Sequence, residues 1–304
     1  MLLNFSSTNF GGELAALGAA FLWALSAVVY AHLGQKIPPM ALNLSKGVIA
    51  IAFIALTLIV QGNYLPTEMA AVPLGFLLLS GILGIGFGDT FYFEALNNLG
   101  ARRTLLLQAL APPLAALIAL IFLQEALSSG AWAGIFITLL GVTWVIGERV
   151  PGTDSQAINL LRGISFALLS VLGQASGAVL SRAALAETSI SPLWSTLLRL
   201  IGGVLVLLVW MPLKQPPTHW VKPLQSKQLL GIIAITALFS TYLGILLQQT
   251  AFKYTATGIA QALLATSPLF VLPIAVLMGE RVSPRALLGV LVALGGIGLL
   301  FGLQ

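Results

Sequence analysis

Charged side chains within apolar stretches are the residues of this sequence best placed to do chemistry. Asp89 lies in an apolar stretch rich in glycine and aromatic residues, and Lys46 and Arg199 lie in two others. If these stretches cross a bilayer, each buried charge costs roughly 2.5–3.5 kcal/mol on insertion scales and must face protein or water. Lys46 and Asp89 lie at matching depth and could pair. Two interpretations of Asp89 stay open: a carboxylate that carries a proton or contacts a solute, or the structural partner of Lys46, whose long side chain could also extend to the interface.

Polar residues also recur at helical spacing in six apolar stretches. Side chains three or four positions apart share one face of a helix. The faces formed in this way are Trp23, Ser26 and Tyr30; Asp89 and Tyr92; Thr104, Gln108 and Pro112; Gln174, Gly177 and Ser181; Thr241, Gly244 and Gln248; and Thr257, Gln261 and Pro268. Any one of these side chains could simply make an interhelical hydrogen bond, which is typically worth about 0.6 kcal/mol. The convergence of six faces favours a shared polar site.

The polar faces and the buried charges give two sets of candidate residues. For contact with a small-molecule substrate we predict Trp23, Ser26, Tyr30, Asp89, Tyr92, Gln108, Gln174, Thr241, Gln248 and Gln261. For proton coupling or ion pairing we predict Lys46, Asp89 and Arg199. In two apolar stretches that have almost no such polar residues, 129–147 and 284–303, we expect Ile135 and Leu291 to face outward.

The composition indicates where these faces lie. Of 304 residues, 58% are hydrophobic and only 8% are charged, and the mean hydropathy is +1.01. Soluble domains carry about 25% charged residues, and disordered chains are poor in apolar residues. The chain contains no Cys, which excludes a disulfide scaffold and a thiolate metal site. The class that remains is an all-α polytopic membrane protein that contacts the lipid bilayer.

Ten apolar segments are long enough to cross a membrane. A membrane-spanning helix needs about 20 mostly apolar residues. The segments are 13–33, 40–60, 72–95, 101–123, 129–147, 162–183, 193–212, 228–250, 256–278 and 284–303. The stretch 148–161 divides them into two sets of five and is interpreted as a linker. The N-terminus lacks a basic region followed by a long apolar core, so we predict no cleaved signal peptide.

The two halves of the chain resemble each other. The matched pairs are Gly12 and Gly163, Trp23 and Gln174, Lys46 and Arg199, Asp89 and Gly244, Pro113 and Pro268, Glu125 and Glu280, Gly134 and Gly289, and Gly141 and Gly296. Five is an odd number, so the second half must enter the membrane from the side opposite to the first. We therefore predict ten transmembrane helices as two inverted five-helix repeats, 12–147 and 162–303, with a substrate site near the bilayer midplane.

Basic residues are distributed unequally between the two sides of the membrane. The loops that follow odd-numbered segments hold ten of the 14 Lys and Arg residues, whereas the opposite side holds Arg182 and Lys253. By the positive-inside rule, both termini of this inner-membrane protein lie outside. The net charge of +5 therefore reflects topology, and because the basic residues form no run, we predict no nucleic-acid partner.

Motifs of enzymes and cofactor sites are missing from the sequence. It contains no glycine-rich phosphate loop, no His-Glu-x-x-His pair and no nucleophile elbow. His32 and His219 lie at a segment end and in a loop. We therefore predict no catalytic residue, no metal and no cofactor.

Several motifs recur in the same order in both halves. A Lys or Arg lies near the start of the second segment, a Pro lies midway along the fourth, and a Glu ends the fourth before a glycine-spaced fifth. Through these motifs, the chain from about 12 to 303 resembles the EamA-type family of the drug/metabolite transporter superfamily. The first half departs from the pattern at Gln124, where the second half has Gly279.

The resemblance implies a transporter whose cavity lies among segments 1, 3, 4, 6, 8 and 9, the segments that carry the polar faces. Members of the family are usually drawn with both termini in the cytoplasm, which disagrees with the charge distribution. We follow the charge distribution, because ten basic residues against two is a large bias.

The residues and the resemblance together predict a secondary transporter for a small polar metabolite. An amino acid as substrate and export as direction come from the resemblance alone. A phosphate or nucleotide-sugar antiporter of the same superfamily is the alternative, but it would need several cations in the cavity, and only Lys46 and Arg199 are available. An intramembrane enzyme lacks a catalytic constellation, and a membrane scaffold does not need the polar faces. Proton coupling is possible, and a monomer and a homodimer both stay open.

Overall fold

The computed structural model describes residues 10–34, 36–62, 70–99, 101–147, 160–186, 188–214, 226–270, 273 and 284–302. Over these ranges the chain is helical, with turns and short irregular connections between the helices. Five helices are long and apolar enough to cross a membrane: Pro39–Val60, Ala71–Leu99, Leu160–Leu185, Pro192–Leu213 and Lys227–Tyr254. The chain is therefore an all-helical, multi-pass membrane protein. Most of the predicted linker, residues 148–159, and the motif at Glu280 lie outside the described residues.

The helices of the first half follow the predicted segments closely. In chain order they are α1 (Gly11–Gly34), α2 (Pro39–Val60), α3 (Ala71–Gly81), a π-helical segment π1 (Ile82–Asp89), α4 (Thr90–Leu99), α5 (Ala101–Gln108), α6 (Ala111–Phe122) and α7 (Ser129–Gly147). Proline begins α2 because its fixed φ suits the first helical position, where no N–H donor is needed. The elements α3, π1 and α4 form one continuous helix.

The helices of the second half repeat this order. They are α8 (Leu160–Leu185), α9 (Pro192–Lys214), α10 (Lys227–Ala237), a second π-helical segment π2 (Leu238–Leu243), α11 (Gly244–Tyr254), α12 (Thr257–Leu264) and α13 (Pro284–Gly302). Proline again begins α9, and α10, π2 and α11 are continuous. The hydroxyl of Ser226 caps α10 by accepting a hydrogen bond from the Leu229 amide at 3.4 Å.

Prolines interrupt the fourth and ninth predicted segments. Helix α5 ends at Gln108 and α6 begins at Ala111, because Pro112 and Pro113 have no N–H to donate to the carbonyls four residues earlier. Helix α12 ends in the same way, four residues before Pro268. The single segments predicted over 101–123 and 256–278 are therefore corrected to interrupted helices. Interruptions at corresponding positions of two halves are typical of transporter binding sites.

The two π-helical segments lie at corresponding positions and were not foreseen from the sequence. Such helices are rare and are frequently found at functional sites. Glycines allow other helices to approach π1 closely: a Cβ added at Gly86 would lie 2.1 Å from Val206 Cγ1, and one added at Gly84 would lie 2.8 Å from Arg199 Nη2. Side chains from α8 and α9 therefore reach the backbone of π1.

Helix α1 packs antiparallel against the helix formed by π2 and α11. At one end, a Cβ added at Gly12 would lie 2.0 Å from Thr255 Oγ1. At the other end, Trp23 Nε1 donates a hydrogen bond to the Ser240 carbonyl at 2.9 Å. Residue numbers rise along α1 while the numbers of the contacted residues fall, which fixes the opposite directions of the two helices.

Helix α8 packs in the same manner against the helix formed by π1 and α4. A Cβ added at Gly163 would lie 2.4 Å from Leu99 Cγ, and Gln174 Nε2 donates to the Gly84 carbonyl at 3.2 Å. The first helix of each half is therefore held against the third predicted segment of the other half. This crossed arrangement brings both halves together around the two π-helical segments.

Helices α7 and α13 form a separate antiparallel pair with a glycine interface. A Cβ added at Gly141 would lie 2.5 Å from the Gly289 carbonyl, and one added at Gly134 would lie 3.2 Å from the Gly296 carbonyl. Small residues of this kind allow membrane helices to approach closely.

The prediction that Ile135 faces outward is wrong, whereas Leu291 lies on an exposed face. Ile135 is 0% exposed, and Leu291 is 64% exposed. Ile135 adjoins Gly134 and packs inside the α7–α13 pair and the main apolar core. The residues that mark the buried face of α7 are Gly134, Thr138 and Gly141, which contact α13.

Candidate functional site

A buried ion pair joins α2 to π1. Lys46 Nζ lies 2.9 Å from Asp89 Oδ2, so the two charges that the sequence places at matching depth do pair. Their side chains are 11% and 23% exposed. The other carboxylate oxygen, Oδ1, accepts a hydrogen bond from Gln174 Nε2 on α8 at 2.9 Å. Asp89 therefore contacts one polar residue from each half of the chain.

Side chains from three helices surround the backbone next to this ion pair. Asn43 Nδ2 donates to the Ile85 carbonyl at 3.0 Å, and Ser170 Oγ donates to the Gly88 carbonyl at 2.9 Å. Gln108 Nε2, at the end of α5, donates to Ser170 Oγ at 2.9 Å. Helix α5 is thereby connected to the residue that precedes Asp89.

Aromatic residues of α1 connect π2 to the same region. The hydroxyl of Tyr30 lies 2.7 Å from Ser240 Oγ and 3.5 Å from Thr241 Oγ1. Lys46 Nζ lies 5.8 Å from the centre of the Tyr30 ring, within the range of a cation–π contact. Because Trp23 also donates to Ser240, the predicted residues Trp23, Tyr30 and Thr241 lie in one network with Lys46.

Three further predicted residues extend the network into the second half. Gln261 Nε2 on α12 lies 3.5 Å from the Gln174 carbonyl, a long hydrogen bond. Arg199 Nη1 on α9 donates to Gln248 Oε1 at 3.2 Å and to Ser181 Oγ at 3.4 Å. Among the side chains that the structure describes, no carboxylate lies within salt-bridge distance of Arg199.

Two predicted substrate residues, Ser26 and Tyr92, do not join these hydrogen bonds. Ser26 Oγ donates to the Leu22 carbonyl at 2.8 Å, within its own helix. The ring of Tyr92 packs against Phe93, with ring centres 5.7 Å apart. A shared helical face does not specify the partners of either residue.

The contacts correct one of the predicted matches between the two halves. Trp23 and Gln174 are 151 positions apart, and the carbonyls that they contact, those of Ser240 and Gly84, are 156 positions apart. The sequence match of Asp89 with Gly244 used an interval of 155 positions. Applied to Asp89 and Gly244, an interval of 156 positions gives each of them a different counterpart in the other half.

With the corrected interval, Gly244 matches Gly88, and Ile245 matches Asp89. A Cβ added at Gly244 would lie 2.6 Å from Trp23 Nε1, and one added at Gly88 would lie 3.4 Å from Gln174 Nε2. Each glycine thus leaves room for the side chain that donates into its π-helical segment. The second half has an apolar residue where the first has the acid.

A second polar cluster, centred on Glu125, was not predicted as a site. Glu125 Oε1 lies 2.5 Å from Arg182 Nε, and its Oε2 accepts from both the amide and the hydroxyl of Thr257 at 2.9 Å. Arg182 Nη1 also donates to the carbonyls of Phe252 and Lys253. The carboxylate caps the N-terminus of α12, where negative charge is favoured. The cluster ties the two halves together about eight residues, or roughly 12 Å, along α8 from Gln174.

Simple spacing could have found some of the residues that sequence reasoning missed. Asn43 lies three positions before Lys46, and Ser170 lies four positions before Gln174, so each shares a face with a residue already identified. Ser240 adjoins the predicted Thr241 and contributes both its hydroxyl, to Tyr30, and its backbone carbonyl, to Trp23; no sequence pattern distinguishes the carbonyl.

The groups brought together are amides, hydroxyls, an indole and an ion pair. A few convergent polar groups within apolar surroundings are what small-molecule sites use to orient a ligand. Within the part of the chain that the structure describes, no three His, Cys, Asp or Glu residues are placed to hold a metal ion. The arrangement is suited to holding a small polar solute by hydrogen bonds.

Known proteins share this fold and its sequence pattern. The EamA-like transporter family matches residues 10–147 and 161–302. Uncharacterized protein PA1977 of Pseudomonas aeruginosa is 33% identical over 145 residues, which are 48% of this chain and 49% of that protein. The chain thus matches about half the length of this curated relative. A solved crystal structure aligns with a TM-score of 0.78 and 17% identity over 97% of this chain and 99% of the other, which indicates a shared fold.

Proposed function

The chain belongs to the EamA-like transporter family, and from that premise we propose that it is a secondary transporter that exports a small polar metabolite such as an amino acid. Membership makes it a membrane transporter of the drug/metabolite transporter superfamily. The polar network between the two halves supports the choice of a small polar solute. Its hydrogen-bonding groups are mostly uncharged, which suits a zwitterion better than a polyanion.

We propose that ten membrane spans form two inverted repeats, 12–147 and 162–303. The antiparallel packing of α7 with α13 supports this proposal, because these helices correspond to the fifth predicted segment of each half. The crossed packing of α1 with α11 and of α8 with α4 supports it further. A two-fold axis in the membrane plane relates each of these pairs to its counterpart.

The observation that carries the proposed function is the position of Asp89. This carboxylate lies in a π-helical segment and contacts Lys46 from its own half and Gln174 from the other. A movement of one half against the other must therefore change its contacts. An ionisable residue at such an interface marks the route of a solute or a proton.

We propose that alternating access exchanges the crossed contacts between the halves. In the described state, the bonds from Trp23 to Ser240 and from Gln174 to Gly84 are both made. The Glu125 cluster holds the halves together at one end of the molecule. Rocking of the repeats would separate this end and close the opposite one, as in other transporters with inverted repeats.

We propose that Asp89 also couples transport to protons. The titratable and polar groups around it are Lys46 on α2, Tyr30 on α1, Tyr92 on α4, Gln174 on α8 and Arg199 on α9. Protonation of Asp89 would remove the charge that holds Lys46 and would weaken the contact between α2 and π1. The purely structural role of the pair is the competing explanation, and the experiment that separates them is developed in the Discussion.

The proposed setting is the inner membrane, with both termini outside, as the distribution of basic residues favours. Both halves of one chain contribute to the polar network, so one chain forms a complete unit in a monomer or a homodimer. A phosphate or nucleotide-sugar substrate is not favoured, since the network offers only Lys46 and Arg199 as cations, and Lys46 is already paired.

Solute binding and flux test the proposed function. The purified chain is first screened for thermal stabilisation by a metabolite library, and the solutes that stabilise it are then tested for counterflow in proteoliposomes. We expect counterflow of at least one polar metabolite, and about a tenfold loss in Gln174→Ala, because a hydrogen bond to a charged group contributes about 1.5–3 kcal/mol. Thr143→Ala is the matched control, because Thr143 lies on α7 and bonds its own helix. Absence of counterflow for every stabilising solute would overturn the proposal.

A further inference from the structure

Arg199 is a buried cation with no carboxylate within salt-bridge distance among the described residues, although the charge of Asp89 acts on it from farther away. It is 2% exposed, and its Nη1 contacts only the side-chain oxygens of Ser181 and Gln248. Its Nε is buried and has no hydrogen-bond partner. A cation inside the membrane is costly unless it is compensated, so its retention indicates a function.

The fold places Arg199 and Lys46 at the same position of corresponding helices. Lys46 is the eighth residue of α2, which begins at Pro39, and Arg199 is the eighth residue of α9, which begins at Pro192. Each cation therefore lies about 10 Å from the start of its helix. The surroundings of Lys46 indicate what the fold builds at this position.

The neighbours of the two cations correspond as well. Tyr30 lies under Lys46, and the residue 151 positions later is Ser181, which contacts Arg199. This interval is the one that relates Trp23 to Gln174. The chain thus constructs a similar cation site in each half.

The two sites differ in their counter-ion. Asp89 pairs with Lys46 at 2.9 Å, whereas the position 156 residues later is Ile245, which is 8% exposed. Arg199 therefore has no counterpart of the carboxylate that pairs with Lys46, and the charge of Asp89, which reaches Arg199 only from beyond salt-bridge distance, is already paired with Lys46. A negative group must come from elsewhere if the charge is to be neutralised.

Other unpartnered groups on the same helices are also hydrogen-bond donors. Gln249 Oε1 accepts from Ser195 Oγ at 2.9 Å, which leaves Gln249 Nε2 buried and without a partner. Ser195 lies one helical turn before Arg199. Trp194 Nε1, also on α9, is buried and without a partner. An excess of buried donors calls for a ligand that brings acceptors.

We propose that Arg199 binds the carboxylate of the transported solute, which thereby supplies the counter-ion that Ile245 does not. This inference rests on the proposed transporter function and narrows its substrate class to monocarboxylates, zwitterionic amino acids included. The planar guanidinium matches the two oxygens of a carboxylate. A phosphate dianion would call for more than one free cation. The bond forms in the state in which Arg199 is open to the solute.

Matched acids and amides test the inference on the unmodified chain. The probes are the standard L-amino acids and lactate, each compared with its carboxamide, in the thermal-stabilisation and counterflow assays. We expect amidation to weaken stabilisation and counterflow about tenfold or more, because it removes the charge that pairs with the guanidinium. Equal counterflow of an acid and its amide would overturn the inference and leave the transporter function intact. Absence of counterflow for every metabolite would overturn the function itself.

Two variants test whether Arg199 is responsible. Arg199→Gln is expected to lower acid counterflow at least tenfold and to remove the preference for acids over amides. Arg199→Lys, which keeps the charge, should restore part of the preference. Because Arg199 makes no direct ion pair in the described residues, and Asp89 keeps Lys46 as its partner, we expect Arg199→Gln to melt at a temperature no lower than the unmodified chain. A strongly destabilised Arg199→Gln chain, or an acid preference that persists in it, would contradict the inference.

Discussion

Replacing Asp89 with Asn removes the carboxylate from a largely buried ion pair. Lys46 keeps its charge but loses the carboxylate that lies 2.9 Å from its Nζ. Gln174 can still donate a hydrogen bond to the side-chain oxygen of the Asn. Breaking a fully buried pair costs about 3–5 kcal/mol. The side chains are 11% and 23% exposed, so water compensates part of this loss, and we expect about 2–4 kcal/mol.

The assay compares Asp89→Asn with a chain in which Lys46→Gln is also made. Thermal unfolding in detergent reports stability, and proteoliposomes report both exchange at equal pH and uphill flux driven by a pH gradient. If Asp89 carries the coupling proton, the single variant loses uphill flux and retains exchange. The double variant should recover stability, because Lys46 no longer carries an unpaired charge, yet it should remain uncoupled.

The opposite behaviour of the double variant would refute the coupling role. A stable chain lacking both charges that again moves solute uphill would show that Asp89 serves only to neutralise Lys46. Thr143→Ala, far from the ion pair on α7, controls for non-specific effects of reconstitution.

Three further predictions follow from individual residues. Gln124 has a φ of 55°, a left-handed conformation that costs a non-glycine residue roughly 1–2 kcal/mol. Gln124→Gly should therefore raise the melting temperature, and a lower melting temperature would contradict this explanation. Single cysteines at Gln108 and Gln261 should react with a water-soluble maleimide during turnover. Cysteines at the exposed apolar positions Phe136 and Leu291 should not react. Equal labelling of both pairs would contradict the assignment of the site. A reporter fused to the C-terminus should be active in the periplasm, and activity confined to the cytoplasm would show the charge distribution to be misleading.

Hydrophobic pattern was sufficient to locate the helices. The segment predicted over 129–147 coincides with α7, and the other described helices begin or end within a few residues of their predictions. The missing N–H donors of Pro112 and Pro268 made the helix breaks near them recognisable, although both segments were predicted to be unbroken. The π-helical segments were not predictable, because a change from i−4 to i−5 hydrogen bonding leaves the apolar composition unchanged.

The sequence predicted the charged contacts of the candidate site better than its uncharged contacts. Depth along two helices was enough to place Lys46 beside Asp89. Helix-face spacing identified Trp23 and Gln174, but their acceptors are backbone carbonyls, for which side-chain patterns contain no information. The match between Asp89 and its counterpart was wrong by one residue, because short insertions change the interval between the halves from element to element.

The opposed movement of the two ends of the molecule is the most direct test of alternating access. Spin labels on cysteines at Ser128 and Tyr254 report on the end near the Glu125 cluster, and labels at Asn97 and Leu161 report on the opposite end. Each pair has one label in each half of the chain. Helix α8, which has 26 residues, separates the two ends by about 39 Å. Double electron–electron resonance under conditions of solute turnover should show one distance lengthening as the other shortens. Two distances that stay fixed, or that change in the same sense while solute is transported, would contradict the rocking of inverted repeats.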